Sequence, residues 1–310
     1  MPRAFDYVRS DSDHIFIVGS DQEIDGYLYG QVVYEPDENG SRELRGVNYS
    51  KADRSSTNLS LEYTRTNNIF QDGFIINKDS ISDIRTPDGQ LDRILEDGLD
   101  DWEVEAYDVL DDLFGGEVYL IGSQIWGLST EDSDVDILLC SNDRSDFEDI
   151  FSDFVEETGY ELLGEQALRE KSGKYADRFG ISEESAFHHL STPNRRVMSM
   201  DNGEKLSLIA SQELGMHSDF DFPDSVDDEG SEVKASGIVT DASSGHMRPR
   251  VYELDLERLG NVTLVSDRWI DAGSFSEGDR VSVGGDYFPG IDTVFLSRDE
   301  AYFELSEIIN

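Results

Sequence analysis

The pattern of apolar and polar positions divides the chain into stretches of different character. Between His14 and Asn77 the apolar residues come in short runs: His14–Val18, Tyr27–Tyr34, Gly46–Lys51 and Phe74–Asn77. Pro36-Asp37-Glu38-Asn39-Gly40 is a turn between two of them. Short runs bounded by turn residues predict strands, so residues 1–87 read as a small strand-rich unit. Tyr27, Tyr29, Tyr34 and Tyr49 read there as packing residues, and His14 stands alone. From Asp88 to Phe114 the spacing becomes helical. Leu91, Ile94, Leu95, Leu99 and Trp102 form one apolar stripe, and Ala106, Val109, Leu110 and Leu113 a second. Asp97-Gly98 is expected to interrupt the helix.

Gly115-Gly116 then turns the chain into the stretch around which the rest is organised, Val118–Cys140. Val118–Ile121 is apolar or aromatic throughout, as a buried strand requires. Gly122-Ser123 breaks the run, Gln124–Trp126 begins a helix, Thr130–Ser133 is turn material, and Val135–Leu139 resumes a strand. A period of two puts Asp134 and Asp136 on one face of that strand and Val135 and Ile137 on the other. Two adjacent carboxylates at a strand end repel each other unless a cation lies between them. A hard divalent ion, Mg2+ or Mn2+, fits such a pair when substrate phosphates complete its coordination. Gly122-Ser123, where a strand enters a helix, offers backbone N–H groups and a hydroxyl to those phosphates.

Further along, Ser145 and Glu148 give a capping-box signal before a helix that buries Phe147, Ile150, Phe151, Phe154 and Val155. Leu162–Arg169 and Ser182–Leu190 predict two more helices. Arg196–Met200 and Lys205–Ala210 predict a hairpin around Asp201-Asn202-Gly203. Residues 88–215 thus read as a central domain. Residues 216–231, rich in Asp, Glu, Ser and Gly, read as an acidic linker. Residues 232–310 carry five short strands, Glu232–Val239, Val251–Leu256, Val262–Ser266, Arg280–Gly284 and Thr293–Ser297. Phe275-Ser276-Glu277-Gly278-Asp279 turns into the fourth, and the whole predicts a small closed β-barrel of the oligonucleotide-binding type.

Charge changes the picture of the solvent more than that of the partners. The chain has 310 residues, 68 acidic against 25 basic, for a formal net charge of −43. The acids are spread over nearly every segment, which resembles proteins of salt-accumulating halophiles, haloarchaea above all. In roughly 1 M salt the Debye length is about 3 Å, so the acidity neither supports nor excludes a nucleic-acid partner. The single cysteine, Cys140, excludes an intrachain disulfide and a multi-cysteine zinc site. The first residues, MPRAFDYVRSDSD, have no apolar signal core, and no unbroken apolar run reaches about 18 residues. The expectation is a cytoplasmic protein without a membrane partner.

Gly122-Ser123, then Gly127, then Ser133-Asp134-Val135-Asp136-Ile137, resembles the signature of the DNA polymerase beta-like nucleotidyltransferase superfamily. The resemblance implies an α+β fold, a nucleotidyltransferase-type mixed sheet with helices. It implies phosphate binding by Gly122, Ser123, Gly127 and Ser133, and divalent metal on Asp134 and Asp136 as catalytic residues. A nucleoside monophosphate would pass from a nucleoside triphosphate to a hydroxyl, on a nucleic-acid, protein or small-molecule acceptor. The segments GVNYSKA (Gly46–Ala52) and VSDRWIDAGSFSEGDRVSVGG (Val265–Gly285) extend the resemblance to archaeal proteins described as DNA polymerase beta-domain nucleotidyltransferases. One position departs from it. Superfamily enzymes carry a third carboxylate on a later strand, and the matching position in Lys205–Ile209 is Ser207. That departure leaves a second reading open, the same fold binding a nucleotide without turning it over.

Positive charge is concentrated at Arg169, Lys171, Lys174, Arg178, Arg195 and Arg196. These residues read either as phosphate contacts, with Arg195 and Arg196 the best placed, or as surface charges paired with the abundant acids. His188-His189 reads as partly buried or capping rather than ligating. Trp126 and Trp269 read as core. A third reading, nucleic-acid binding by the barrel, has only Arg248, Arg250, Arg258, Arg268, Arg280 and Arg298 to draw on, with Tyr252, Tyr287 and Phe288 for stacking.

Overall fold

The computed structural model describes residues 2–24, 26–52, 63–66, 73–97, 99–130, 133–142, 147, 150–191, 195–199, 205–216, 220–224, 228–296 and 301–306. The fold is mixed α and β, in three sheets.

The N-terminal sheet holds eight strands: β1 (Tyr7–Ser10), β2 (Ile15–Ile24), β3 (Tyr27–Pro36), β4 (Arg42–Leu44), β5 (Val47–Lys51), β6 (Tyr63–Thr66), β7 (Gly73–Asn77) and β8 (Ile81–Arg85). The order is β4-β5-β3-β2-β1-β8, with β7 also pairing with β3 and β6 with β7. The long antiparallel pair β2–β3 is its spine. The four predicted strands are present. β1, β4, β6 and β8 were not expected, because segments such as YVRS and REL are too short and mixed to show a period.

The central unit begins with α1 (Pro87–Asp97) and α2 (Asp101–Leu113), so the helical stretch breaks near Asp97-Gly98 as predicted. The Asp100 N–H donates to Glu103 Oε2 at 2.7 Å, half of a capping box that starts the second helix. There follow β9 (Glu117–Ile121), α3 (Ser123–Trp126), β10 (Val135–Cys140), α4 (Ile150–Thr158), β11 (Glu161–Leu162), α5 (Glu165–Phe179), α6 (Glu183–Ser191), β12 (Arg195–Ser199) and β13 (Lys205–Ser211). Sheet order is β11-β12-β13-β10-β9. β10 runs antiparallel to β9 and parallel to β13. The helix predicted over Leu162–Arg169 instead runs over Glu165–Phe179. Leu162 belongs to β11, and Gly180 closes the helix in a left-handed conformation with φ 64°. Ser145, Glu148 and Asp201-Asn202-Gly203 lie outside the described residues.

The third sheet contains β14 (Ser231–Asp241), β15 (Arg250–Leu256), β16 (Gly260–Ser266), β17 (Arg280–Phe288), β18 (Thr293–Phe295) and β19 (Tyr302–Leu305). Its order is β14-β15-β16-β18-β17-β19, and β14 also pairs with β17. That extra pairing closes five strands into a barrel, and β19 pairs with Val281–Gly284 of β17 and sends Phe303 into the barrel core.

Two large cores result. One is shared between the N-terminal sheet and the central unit, joining Phe5, Tyr7, Ile15 and Tyr34 to Leu120, Trp126, Ile137 and Leu208. The other fills the barrel with Val239, Leu254, Leu264, Phe275, Val283 and Phe303. A smaller cluster ties barrel to N-terminal sheet through Tyr29, Val265 and Phe295. Phe220, in the segment read as a linker, is buried in that cluster. The described part of the acidic stretch is therefore anchored, by Phe220 and by Phe222 packed against the same cluster. Among the described residues, no helix is long and apolar enough to cross a membrane.

Candidate functional site

The site is built on the turn between β9 and β10. β9 ends at Gly122, whose φ of 75° favours glycine. Space imposes the same choice, since a Cβ at this position would lie 2.4 Å from Asp136 Oδ2. Ser123 opens the single turn α3, and Gly127 closes it in the left-handed region at φ 66°, ψ 35°. A one-turn helix brings little dipole of its own, so its neighbours have to hold it.

Arginines do so. Arg85 Nη1 donates to the Ile125 carbonyl at 3.0 Å, and Arg93 Nη2 donates to the carbonyls of Gln124 (3.2 Å) and Ile125 (3.1 Å). These donors take up carbonyls that so short a helix leaves unmatched. The Arg85 guanidinium also sits 4.3 Å from the centre of the Trp126 ring. Arg42, from β4, donates to the Leu128 carbonyl and to Ser133 Oγ, and the Thr130 N–H donates to the same hydroxyl at 2.9 Å. The N-terminal sheet thus fixes the loop that leads into Asp134.

The phosphate cradle expected at Gly122-Ser123 is partly filled by protein groups. The Gly122 N–H donates to the Tyr7 hydroxyl at 2.9 Å. Ser123 is buried, accepts from Ser129 Oγ at 3.2 Å and donates to Gln124 Oε1 at 3.3 Å. Burial pushes the Tyr7 and Tyr34 phenols upward from their ordinary values, so both hydroxyls stay neutral at neutral pH.

Asp134 and Asp136 sit half-buried at the start of β10. Asp136 stands opposite Ile121 on one side and Ser207 on the other. Ser207 Oγ donates to Asp134 Oδ2 at 3.5 Å. The position expected to carry a third carboxylate therefore carries a hydroxyl facing the pair. Among the described residues no group of three or more His, Cys, Asp and Glu side chains is gathered as a metal-ligand set.

Gly122, Ser123, Asp134 and Asp136 line one cavity of about 430 Å³. All three sheets build its walls. Tyr7, Gln31, Tyr34 and Lys51 come from the N-terminal sheet, and Arg248, Arg250, Asp267 and Trp269 from the barrel. Asp267 is fully buried and accepts from the Tyr29 hydroxyl at 2.7 Å, from Arg248 Nε at 3.0 Å and from Arg248 Nη2 at 3.3 Å.

Four of the residues read as site residues thus converge, two do not, and the side chains of two lie outside the described residues. Gly127 caps the turn and Ser133 braces the loop, both outside the cavity lining. Arg195 and Arg196 stand on β12 opposite Ile209 and Leu208, and their side chains lie outside the described residues. Arg169 pairs with Glu165 and Glu184 and covers the Phe187 ring, which matches the surface reading for that residue. The Arg178 side chain is outside the described residues. His188 and His189 each bond a backbone carbonyl through Nε2, to Ser274 and Phe303. Burial lowers the His189 pKa to about 4, so its ring is neutral.

The residues missed were Tyr7, Tyr34, Arg248, Arg250 and Asp267, with Tyr29 behind them. The sequence shows Tyr29 and Tyr34 as packing residues alone. They pack, and their hydroxyls also hold Asp267 and Ser123. A signal for this wall did exist. Lys51 and Ala52 end one outlying segment of the resemblance, Asp267, Trp269 and Ala272 fall in the other, and all five line the cavity. No family model, curated protein or solved structure matches the chain.

Proposed function

We propose that the protein is a metal-dependent nucleotidyltransferase that transfers a nucleoside monophosphate from a nucleoside triphosphate to a hydroxyl acceptor. One observation carries the reading: the Gly122-Ser123 turn and the Asp134–Asp136 pair meet in a single cavity of about 430 Å³. A volume of that order suits a small-molecule substrate. The order of the five barrel strands, with β16 parallel to β18, supports an oligonucleotide-binding type of barrel.

The donor set fits one hard divalent ion. Asp134 and Asp136 would hold Mg2+ or Mn2+, with water and substrate phosphate completing the coordination. When bound, the ion supplies charge neutralisation for the triphosphate and the leaving pyrophosphate. Ser207 donates to Asp134 and so orients the carboxylate (3.5 Å). Lys51 offers a cation to the phosphates, and Ser123 would offer its hydroxyl in exchange for its bond to Gln124. Tyr7 holds the Gly122 amide and keeps the turn in register with Asp136. Phosphoryl transfer relies mainly on positioning and charge, and these residues supply both.

The test is release of pyrophosphate from labelled nucleoside triphosphates with Mg2+ or Mn2+ in molar KCl, across nucleic-acid, protein and small-molecule acceptors. The reading expects release with at least one acceptor and its loss in Asp136→Ala. Release unchanged by Asp136→Ala would overturn it. Ser207 favours one alternative, a regulatory protein that binds a nucleotide without turnover, and tight calorimetric binding with no pyrophosphate release would establish that instead. Nucleic-acid binding by the barrel alone has less support. Arg248, Arg250 and Arg268 are buried, as are Tyr252 and Phe288, and Arg298 lies outside the described residues.

A further inference from the structure

The barrel's contribution to the cavity wall is electrically unbalanced. Arg248 and Arg250 are both buried, and both take Asp267 as their carboxylate. Arg248 engages it with two nitrogens, at 3.0 and 3.3 Å. Arg250 Nη1 is left at 3.6 Å from it, and among the described residues Arg250 Nε and Nη1 have no hydrogen-bond partner. The nearer donors to Asp267 are Arg248 and the Tyr29 hydroxyl, which donates to it at 2.7 Å, and Arg250 stands outside hydrogen-bond distance. Burial draws the Arg250 pKa down to about 10, which still leaves it protonated at neutral pH.

Two guanidiniums against one carboxylate leave a net positive charge, buried, in a chain whose formal net charge is −43. A buried cation with unused donors is unfavourable unless an anion completes it. The surroundings are polar and built for this. Arg248 is fixed from behind, its N–H donating to Gln212 Oε1 (2.9 Å) and its carbonyl accepting from Gln212 Nε2 (3.3 Å). The Phe5 ring lies 5.2 Å from its guanidinium.

We infer that Arg250, backed by Arg248 and Asp267, is a subsite for an oxyanion of the phosphate type, built by the barrel into the same cavity as Asp134 and Asp136. This deepens the nucleotidyltransferase reading, on which its place in catalysis rests, but anion binding itself requires neither metal nor Asp136. The anion has two possible sources in that reading, the triphosphate of the nucleotide or an anionic group on the acceptor.

The experiment uses the full chain in metal-free buffer at constant molar KCl, with inorganic phosphate as the probe. Phosphate should raise the melting temperature and should titrate calorimetrically in the wild type and in Asp136→Ala alike. In Arg250→Gln the affinity should fall by roughly tenfold or more, the loss expected for a charge-assisted contact. The wild-type titration does not depend on how the variant folds. Absence of phosphate binding in the wild type, or equal binding by Arg250→Gln, overturns the subsite. Loss of phosphate binding in Asp136→Ala also overturns it, by assigning the anion to the carboxylate pair. A second arm adds a nucleoside triphosphate. Competition with phosphate assigns the subsite to the nucleotide, and additive binding assigns it to the acceptor. Either result keeps the subsite and names its source.

Discussion

Two buried arginine–aspartate clusters lie four residues apart in the barrel, and they differ in one respect. Around Asp271, each nitrogen of the Arg268 guanidinium has an acceptor. Arg268 Nε and Nη2 donate to its two oxygens at 2.8 and 3.0 Å, Arg268 Nη1 donates to the Ala301 carbonyl at 2.8 Å, and Ser266 donates at 2.5 Å. Around Asp267, two arginines share one carboxylate and Arg250 keeps unused donors. The complete cluster lies against α6 through His189, and its Arg268 and Asp271 are absent from the cavity lining. The incomplete one lines the cavity. Burial and charge are common to both; what marks the second as a binding element is its unfinished hydrogen bonding.

The sharpest way to break this comparison is to remove one arginine from each cluster. Arg268→Met leaves Asp271 buried without a counter-charge and should cost about 3–5 kcal/mol. Arg250→Met leaves Asp267 paired with Arg248 and should change stability by no more than about 1 kcal/mol, or increase it. Denaturant unfolding in molar KCl measures both. Equal losses would make the two clusters equivalent structural pairs.

A second test uses the neutral histidine beside the complete cluster. His189 has a pKa of about 4 when folded, lowered by burial from an ordinary 6.5. Between those values the unfolded chain binds a proton that the folded chain refuses, so stability falls as pH drops through this window and is fully present above about 6.5. The loss should be on the order of 3 kcal/mol. It is read as the difference in pH dependence between wild type and His189→Gln, and parallel curves would show that the ring is not held neutral.

On the cavity side the expected effects are smaller in stability and larger in activity. Gly122→Ala places a Cβ against Asp136 at positive φ and should cost roughly 1–3 kcal/mol. It should also lower pyrophosphate release, so a variant with wild-type turnover would remove the close approach of turn and acid from the account. Arg42→Ala frees the Leu128–Ser133 loop and should cost about 1 kcal/mol. Faster hydrogen exchange at the Thr130 amide would report it, and unchanged protection would mean that the loop is held by other contacts.

The two halves of the site differed in how far the sequence revealed them. β9, the Gly-Ser turn and β10 could be read directly, because strand alternation places Asp134 and Asp136 on one face and glycine spacing marks the turn. Ser207 was located in advance by the apolar residues flanking it, and it stands opposite Asp136. The other wall depends on contacts far apart in the chain. The Tyr7 hydroxyl meets Gly122 across 115 positions, and Tyr29 meets Asp267 across 238. No local period encodes such pairs, so Tyr29 and Tyr34 looked like packing. Arg248 and Arg250 looked like ordinary barrel arginines, since the shared carboxylate only arises once β15 and β16 align Arg250 with Ser266. The same limit displaced α5, where Ser172, Gly173 and Lys174 interrupt the apolar spacing before Tyr175, Ala176 and Phe179, which pack with Trp269 and Ile270 of the barrel domain.

The most direct test of the central claim is electron paramagnetic resonance of Mn2+ added with a nucleoside triphosphate to the full chain in molar KCl. The account predicts a protein-bound Mn2+ signal that requires the nucleotide and is lost in Asp136→Ala. A Mn2+–nucleotide spectrum unchanged by the protein, or a bound signal that survives Asp136→Ala, would contradict it.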